Sequence, residues 1–390
     1  MGFESKNITI PFSCRTEVWK ILEALCSAPP AIETTVGPES LEEFLSGPAV
    51  KPSVSPEPLL AAIRYAVWVK QNIEAQATEK PARNWFAEMP EFHRTLEDIL
   101  SRNTDPSVHS VFGEKLVPLA DLDQPWLLQH LADIFPEDPE KRALWNAAWN
   151  GFLAYWRPGA RLFEILRNQY VRAIEHIGES NSKTKYGQSP GDLLADHLMG
   201  FYWWGTLKLD DDLMQKFLEK APEKVRGHAM HQLGYAVYND KQGIPPDTLN
   251  RVKELFESRL NAAENATDKG FYRPELAAFS WCFASDKFDP NWKMKILLRI
   301  LRTTGRAEVP HLVVEQLAKL SKTTPGECVE CLSLLTAGLE DVFEIYGWDA
   351  QARTVLTEAI SGGDVTAKAT AVTMINRLAS RGFTNFRDLV

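Results

Sequence analysis

Cysteine is scarce in this sequence, and no disulfide framework is apparent. The chain has 5 cysteines in 390 residues. An odd number of cysteines without a secretory signal pattern argues against a secreted disulfide scaffold, so we expect a reducing, cytoplasmic location. Long apolar runs are also missing. None approaches the roughly 18 uninterrupted apolar residues that a membrane helix requires, and no membrane span is predicted.

Basic residues are outnumbered by acidic ones. The sequence has 43 Lys and Arg against 52 Asp and Glu, a formal net charge of −9. This balance disfavours a general nucleic-acid binder, because the chain has no global positive field. Hydrophobic residues make up 44% and charged residues 24%, which is typical of globular proteins. A chain of this length has material for about one to three domains.

The motifs of nucleotide-binding and hydrolytic enzymes are missing. The sequence has no glycine-rich phosphate loop and no Gly-x-Ser-x-Gly nucleophile elbow. His228 and His231 lack the intervening glutamate of a zinc-protease helix. We therefore predict no catalytic site, no metal and no cofactor. The alternative prediction is an enzyme whose groups converge from separate helices, and its candidates are Asp196, His197, His228 and His231.

Two cysteines stand close together in the sequence. Cys328 and Cys331 form a Cys-x-x-Cys pair without the second ligand pair that a structural zinc site needs. In a helix that begins at Pro325, the two thiols share one face with leucines. We expect both thiols to be buried in a core, and the pattern assigns them no further role.

Strand signals are nearly absent, and hydrophobic residues recur with the helical period of 3.6, which predicts an all-α protein. Asp105, Asp138 and Asp289 each precede a proline, a pattern typical of a helix N-cap. Glycines that follow apolar helical runs predict helix ends at Gly178, Gly305 and Gly382. Among other helices, the pattern predicts 39–46, 106–120, 124–134, 159–177 and 273–284.

Consecutive helices with short connections favour stacked antiparallel pairs. We expect an irregular α-solenoid of the HEAT, armadillo or tetratricopeptide kind, because no fixed repeat period is present. Two breaker-rich stretches, a proline-rich one over 28–58 and a polar one over 178–191, predict the domain boundaries. The predicted organisation is a proline-rich lead-in with short helices over 1–56, an N-terminal helical half over 57–178 and a C-terminal helical half over 191–390.

Aromatic residues form two notable clusters. Trp145, Trp149, Phe152 and Trp156 lie on one helical stripe, which indicates a buried seam or, alternatively, a peptide-binding groove. The second cluster occupies four consecutive positions, which sweep about 300° around a helix and cannot all face one neighbour. We therefore predict a partner-binding surface at Phe201, Tyr202, Trp203 and Trp204.

A basic stretch over 292–322 interrupts the acidic trend. Lys295, Arg299 and Arg302 share one helical face in this stretch. We predict that this face contacts an acidic protein partner, and a solvated face is the plain alternative. Local phosphate binding would instead indicate a HEAT-like nucleic-acid binder, which the net charge disfavours.

Several segments resemble the C-terminal helical region of large bacterial STAND-type NTPases and related antiviral-defence proteins. The resemblance lies in the residues 60–68, 105–113, 135–136 with 144–149, and 375–389, which include Leu-Ala-Ala-Ile-Arg-Tyr-Ala-Val-Trp and Ile-Asn-Arg-Leu-Ala-Ser-Arg-Gly-Phe. It implies a tetratricopeptide-like sensor that recognises a target protein, while the chemistry lies in N-terminal domains that this sequence lacks. We therefore expect a non-enzymatic sensor arm, either part of a larger protein or separately encoded. Its partner would be a phage or host protein, or an NTPase or effector module.

Overall fold

The computed structural model describes residues 10–27, 56–77, 84–102, 105–155, 159–179, 188–362 and 364–390. Within these ranges the chain is helical and contains no β-strand, which confirms the predicted all-α class. None of the described helices is both long and apolar enough to cross a membrane. The predicted helix over 39–46 and Trp156 lie outside the described residues.

The chain divides into two compact units, Met1–His197 and Leu198–Val390. The division falls inside one helix, α12. The first unit contains α1 to α11 and the beginning of α12. Their bounds are α1 Arg15–Ser27, α2 Pro56–Gln76, α3 Trp85–Glu88, α4 Pro90–Arg102, α5 Pro106–Glu114, α6 Leu116–Leu122, α7 Gln124–Gln129, α8 Leu131–Ile134, α9 Arg142–Tyr155, α10 Ala160–Ile165, α11 Arg167–Glu175 and α12 Pro190–Trp204.

Among its described residues, the second unit contains the end of α12 and ten further helices. The bounds of the ten are α13 Asp212–Lys220, α14 Glu223–Asn239, α15 Pro246–Asn265, α16 Arg273–Ala277, α17 Phe279–Ala284, α18 Pro290–Thr304, α19 Pro310–Leu320, α20 Pro325–Ala337, α21 Asp349–Ser361 and α22 Val365–Ser380. Short 3₁₀ segments are also present in the described chain, at Phe12–Cys14, Pro139–Lys141, Gly270–Tyr272, Val342–Gly347 and Arg387–Leu389.

Helix starts and stops follow the local sequence signals. The side chains of Asp105, Asp138 and Asp289 each accept a hydrogen bond from a backbone N–H two or three residues later, at 2.8, 2.9 and 2.9 Å. These bonds satisfy donors that the first helical turn leaves without partners. Gly178, Gly305 and Gly382 have φ of 87°, 66° and 95°. Both sets of predictions are confirmed.

Four of the predicted helices are each two shorter helices in the structure. They are the predicted helices over 106–120, 124–134, 159–177 and 273–284. The first divides between Glu114 and Leu116. Pro118 lies just beyond this point and has no N–H to donate to the carbonyl of Glu114, so a continuous helix would lose a hydrogen bond and crowd the proline ring. The sequence pattern locates the helical segments, and their internal breaks depend on such local conflicts.

Small residues bring α5 and α9 of the first unit together. A Cβ atom added to Gly113 would lie 1.8 Å from the carbonyl oxygen of Ala148, and one added to Gly151 would lie 2.3 Å from that of Ser110. No side chain fits at these distances, so both positions require glycine. The two backbones therefore approach as closely as helices can, and α9 is held in a defined register against α5.

The helices of the second unit pack in two rows. The first row is α14, α17, α19 and α21, and each member contacts the next. The second row is α15, α18, α20 and α22, which contact one another in the same succession. Contacts between rows join α17 to α18, α19 to α20 and α21 to α22. Each helix thus meets the equivalent helix of the next pair.

A buried cluster of charged side chains joins the first helix of each row. Glu275 on α16 accepts from Nε of Arg226 at 2.5 Å and from Nε of Arg259 at 2.6 Å, and Arg226 and Glu275 are fully buried. Arg226 also donates to two backbone carbonyls, and its guanidinium lies 3.9 Å from the centre of the Phe271 ring. The cluster joins α14, α15 and α16.

Candidate binding sites

The predicted surface at Phe201, Tyr202, Trp203 and Trp204 is mainly a structural helix end. Phe201 and Tyr202 are buried, so they present no ring to a partner, whereas Trp204 is 56% exposed. The four rings lie on different sides of the helix, as expected from their consecutive positions; two of them are buried and Trp203 is half-buried.

The end of α12 is held by Arg251 on α15. Its Nε donates to the carbonyl of Tyr202 at 2.9 Å and its Nη2 donates to that of Trp203 at 2.6 Å. The Tyr202 hydroxyl donates in return to the carbonyl of Arg251 at 2.6 Å, and Gly205 follows with φ of 78°. These bonds satisfy carbonyls that a helix end leaves without partners.

Two of the three side chains of the predicted basic face form ion pairs with carboxylates of neighbouring helices. Arg299 binds Glu264 on α15 at 2.6 Å, and Arg302 binds Glu330 on α20 at 2.6 Å. The hydrogen-bonded pair raises the pKa of Arg299 and lowers that of Glu264. Lys295 is exposed and forms no ion pair with the described residues. Two of the three predicted contact charges therefore serve the packing of the second row, which weakens the case for an acidic partner here.

Each of the four candidate catalytic residues has a neighbour of its own in the described chain. In the first unit, Asp196 accepts from Gln188 at 3.1 Å, and the buried His197 is hydrogen-bonded through Nδ1 to the Tyr170 hydroxyl at 2.9 Å. In the second unit, His231 pairs through Nδ1 with Glu308 at 2.5 Å. His228 lies 3.5 Å from the Gln232 amide.

No metal site is apparent in the part of the chain that the structure describes, where no group of three or more His, Cys, Asp or Glu is arranged to hold an ion. Cys328 and Cys331 are buried on α20, as predicted. Burial raises the pKa of Cys328 to about 11 and that of Cys331 well above its usual value. Both thiols are packed as small apolar groups, and the Sγ of Cys331 lies 3.9 Å from the Sδ of Met294.

A partly exposed group of aromatic rings lies on the first row and was not predicted from the sequence. We call it the aromatic surface, and it consists of His231, Tyr235 and Tyr238 on α14 with Trp281 on α17. The rings of His231 and Tyr235 are stacked with an interplanar angle of 5°, and Trp281 meets Tyr235 edge-on at 5.2 Å between centroids. Tyr235 is 41% and Tyr238 38% exposed.

Glycines on α14 explain how the aromatic surface is assembled. A Cβ on Gly227 would lie 2.6 Å from the Cβ of Pro274, and one on Gly234 would lie 2.9 Å from the carbonyl oxygen of Ala278. The close approach places Trp281 directly beside the tyrosines. Its indole N–H is shielded from solvent and makes no hydrogen bond within the described residues. The spacing of positions 231, 235 and 238 was readable as one helical stripe, but the contribution of Trp281 from another helix was not.

The first unit contains a cavity of about 310 Å³ between α9, the end of α11 and the start of α12. Trp145 and Trp149 form its floor, with an interplanar angle of 13° between their rings. They belong to the predicted tryptophan stripe, which is thus a buried seam that also borders a cavity. The cavity wall includes Asn146, Asn150, Ala173, Leu194 and Pro190.

At the rim of this cavity, one carboxylate binds two neighbouring side chains. Glu179 accepts hydrogen bonds from His176, at 3.0 Å, and from Arg142. These bonds hold the pKa of Glu179 below its usual range, because both stabilise the carboxylate. The indole of Trp145 is also occupied, since it donates to Gln169 at 2.7 Å.

No protein-family model, no curated protein and no solved structure matches this chain.

Proposed function

We propose that this chain is a non-enzymatic helical scaffold that binds another protein, and that the second unit is an irregular α-solenoid of stacked antiparallel helix pairs. The successive contacts within each row support the solenoid, because repeat proteins stack equivalent helices of neighbouring pairs in this way. A row of stacked helices offers an extended face, which suits the recognition of a protein.

The aromatic surface is the observation that carries the binding proposal. Tyrosine and tryptophan are enriched at protein interfaces, because they combine a large apolar area with a polar group. Tyr235 and Tyr238 expose such rings on one stripe of α14, and Trp281 packs edge-on against Tyr235 beside them. A partner that covers the tyrosines would bury these rings and gain contact area on a rigid helix.

The role as sensor arm of an antiviral-defence assembly is part of the proposal on the strength of the segment resemblance alone. In that role the partner is a phage or host protein, or an NTPase or effector module of the same assembly. Arg299 and Arg302 are satisfied by carboxylates. The proposed contact region is therefore the aromatic surface on the first row, in place of the basic face on α18.

Comparative affinity purification tests this function. The tagged chain and two variants are incubated with lysates of uninfected and phage-infected bacteria, and bound proteins are quantified by mass spectrometry. Tyr235→Ser/Tyr238→Ser removes two exposed rings of the aromatic surface, and Phe343→Ser removes an exposed ring elsewhere in the second unit. We expect a protein that is retained by the parent chain and by Phe343→Ser but lost with the double variant. Identical sets of bound proteins would overturn the proposal.

A further inference from the structure

The cavity of the first unit contains two amide side chains whose hydrogen-bonding groups are unused. Asn146 and Asn150 line the cavity, are half-buried and make no hydrogen bond with any described residue. Three other polar side chains of the lining differ, since Arg142 and His176 are both bound to Glu179. The two amides are thus polar groups of the cavity that remain available to a ligand.

The spacing of the amides matches an extended peptide main chain. Positions 146 and 150 are four residues apart on α9, which separates them by about 6 Å along the helix axis. In an extended chain, residues i and i+2 present their N–H and C=O groups to the same side about 6.7 Å apart. Each asparagine amide offers one donor group and one acceptor, which are the complements of a peptide C=O and N–H.

The rest of the cavity suits a neutral, apolar side chain. Trp149, Ala173 and Leu194 border the cavity with apolar groups. At the rim, Arg142 and Glu179 already form an ion pair with each other. A charged ligand group would have to compete with this pair. A volume of about 310 Å³ lies at the lower end of the range for ligand pockets, about 300 to 1,000 Å³, and admits a side chain with its adjoining main chain.

From this combination we infer that the cavity binds a short extended peptide segment of a partner protein. Asn146 and Asn150 bind main-chain amides of residues i and i+2, and one apolar side chain of the segment enters against Trp149 and Leu194. This peptide site lies wholly within the first unit. It does not depend on the aromatic surface, so either site can fail its test without affecting the other.

A phage library of short random peptides, selected against the intact chain, tests the inference. An enriched peptide is synthesised with capped ends and a fluorescent label, and its affinity is measured by fluorescence polarisation. The chains compared are the parent, Asn146→Ala/Asn150→Ala and the control Asn168→Ala, which alters an exposed asparagine on α11 of the same unit. Each lost amide contact should weaken binding about 5-fold, so the double variant should bind about 25-fold more weakly, and Asn168→Ala should match the parent.

Peptides with one N-methylated main-chain nitrogen supply a test that requires no protein variant. Methylation at the positions that face the asparagines should weaken binding to the parent chain about 5-fold or more, and methylation elsewhere should have little effect. The inference is overturned if no peptide is enriched, if the folded double variant binds equally well, or if no N-methylation matters. It is also overturned if N-acetyl-leucinamide binds as tightly as the peptide, because the cavity would then be a small-molecule site.

Discussion

Replacement of Glu275 by glutamine should destabilise the second unit strongly. The carboxylate of Glu275 accepts hydrogen bonds from Arg226 and Arg259 inside the core. A glutamine offers one acceptor oxygen and points an N–H₂ group at a second donor. Both arginines would lose the carboxylate, but Arg226 keeps its bonds to the carbonyls of Ala221 and Phe271, whereas Arg259 has no other hydrogen-bond acceptor among the described residues. Leaving a buried charge without its partner costs about 3–5 kcal/mol.

This loss is a large fraction of the total free energy of unfolding, about 5–15 kcal/mol for a typical domain. The matched control is Glu264→Gln, which removes the acidic partner of Arg299 at the surface and should cost less than about 1 kcal/mol. Urea unfolding compares the two variants, and hydrogen exchange of α14 and α15 localises the effect. A loss of about 3 kcal/mol raises the opening equilibrium about 150-fold. Equal destabilisation by the two variants would refute the reasoning.

Three further predictions concern packing, a helix end and thiol chemistry. Gly113→Ala should lower the stability of the first unit by more than about 2 kcal/mol, because its Cβ would overlap the carbonyl of Ala148; a melting temperature equal to that of the parent would contradict this. Arg251→Ala should speed hydrogen exchange at the end of α12, because it removes the guanidinium that donates to the carbonyls of Tyr202 and Trp203 and leaves only the Thr248 hydroxyl on the latter; unchanged exchange there would show that these Arg251 bonds are dispensable. Cys328, with a pKa of about 11, should resist iodoacetamide at neutral pH in the folded chain and react once urea unfolds it. Mass spectrometry measures the labelling, and rapid labelling of the folded chain would contradict the burial of this thiol.

Local features of the fold were predictable because their causes lie within a few residues. An aspartate before a proline acts on backbone N–H groups two or three residues away, so the caps at Asp105 and Asp289 follow directly from the sequence. The helical period of apolar residues likewise indicates which face of a helix is buried. The breaks within helices were harder to predict, because the hydrophobic pattern on either side of Pro118 remains helical.

The candidate sites depended on contacts that are distant in sequence. The burial of Tyr202 involves Arg251, 49 residues away, and the neutralisation of Arg299 involves Glu264, 35 residues away. A stretch of aromatic or basic residues does not reveal such partners, which is why the predicted surfaces proved to be largely structural. The aromatic surface has the same origin, since Trp281 reaches Tyr235 only through the packing of α17 on α14.

Site-specific photo-cross-linking tests the proposed protein-binding surface most directly. A benzophenone amino acid is placed at Tyr235 on the first row or at Lys295 on the second row, and each chain is irradiated in lysates of uninfected and phage-infected bacteria. Both positions are exposed, so each can report a neighbouring protein. The proposal predicts a discrete cross-linked protein from position 235 and none from position 295. Cross-links from position 295 alone, or from neither position, would contradict it.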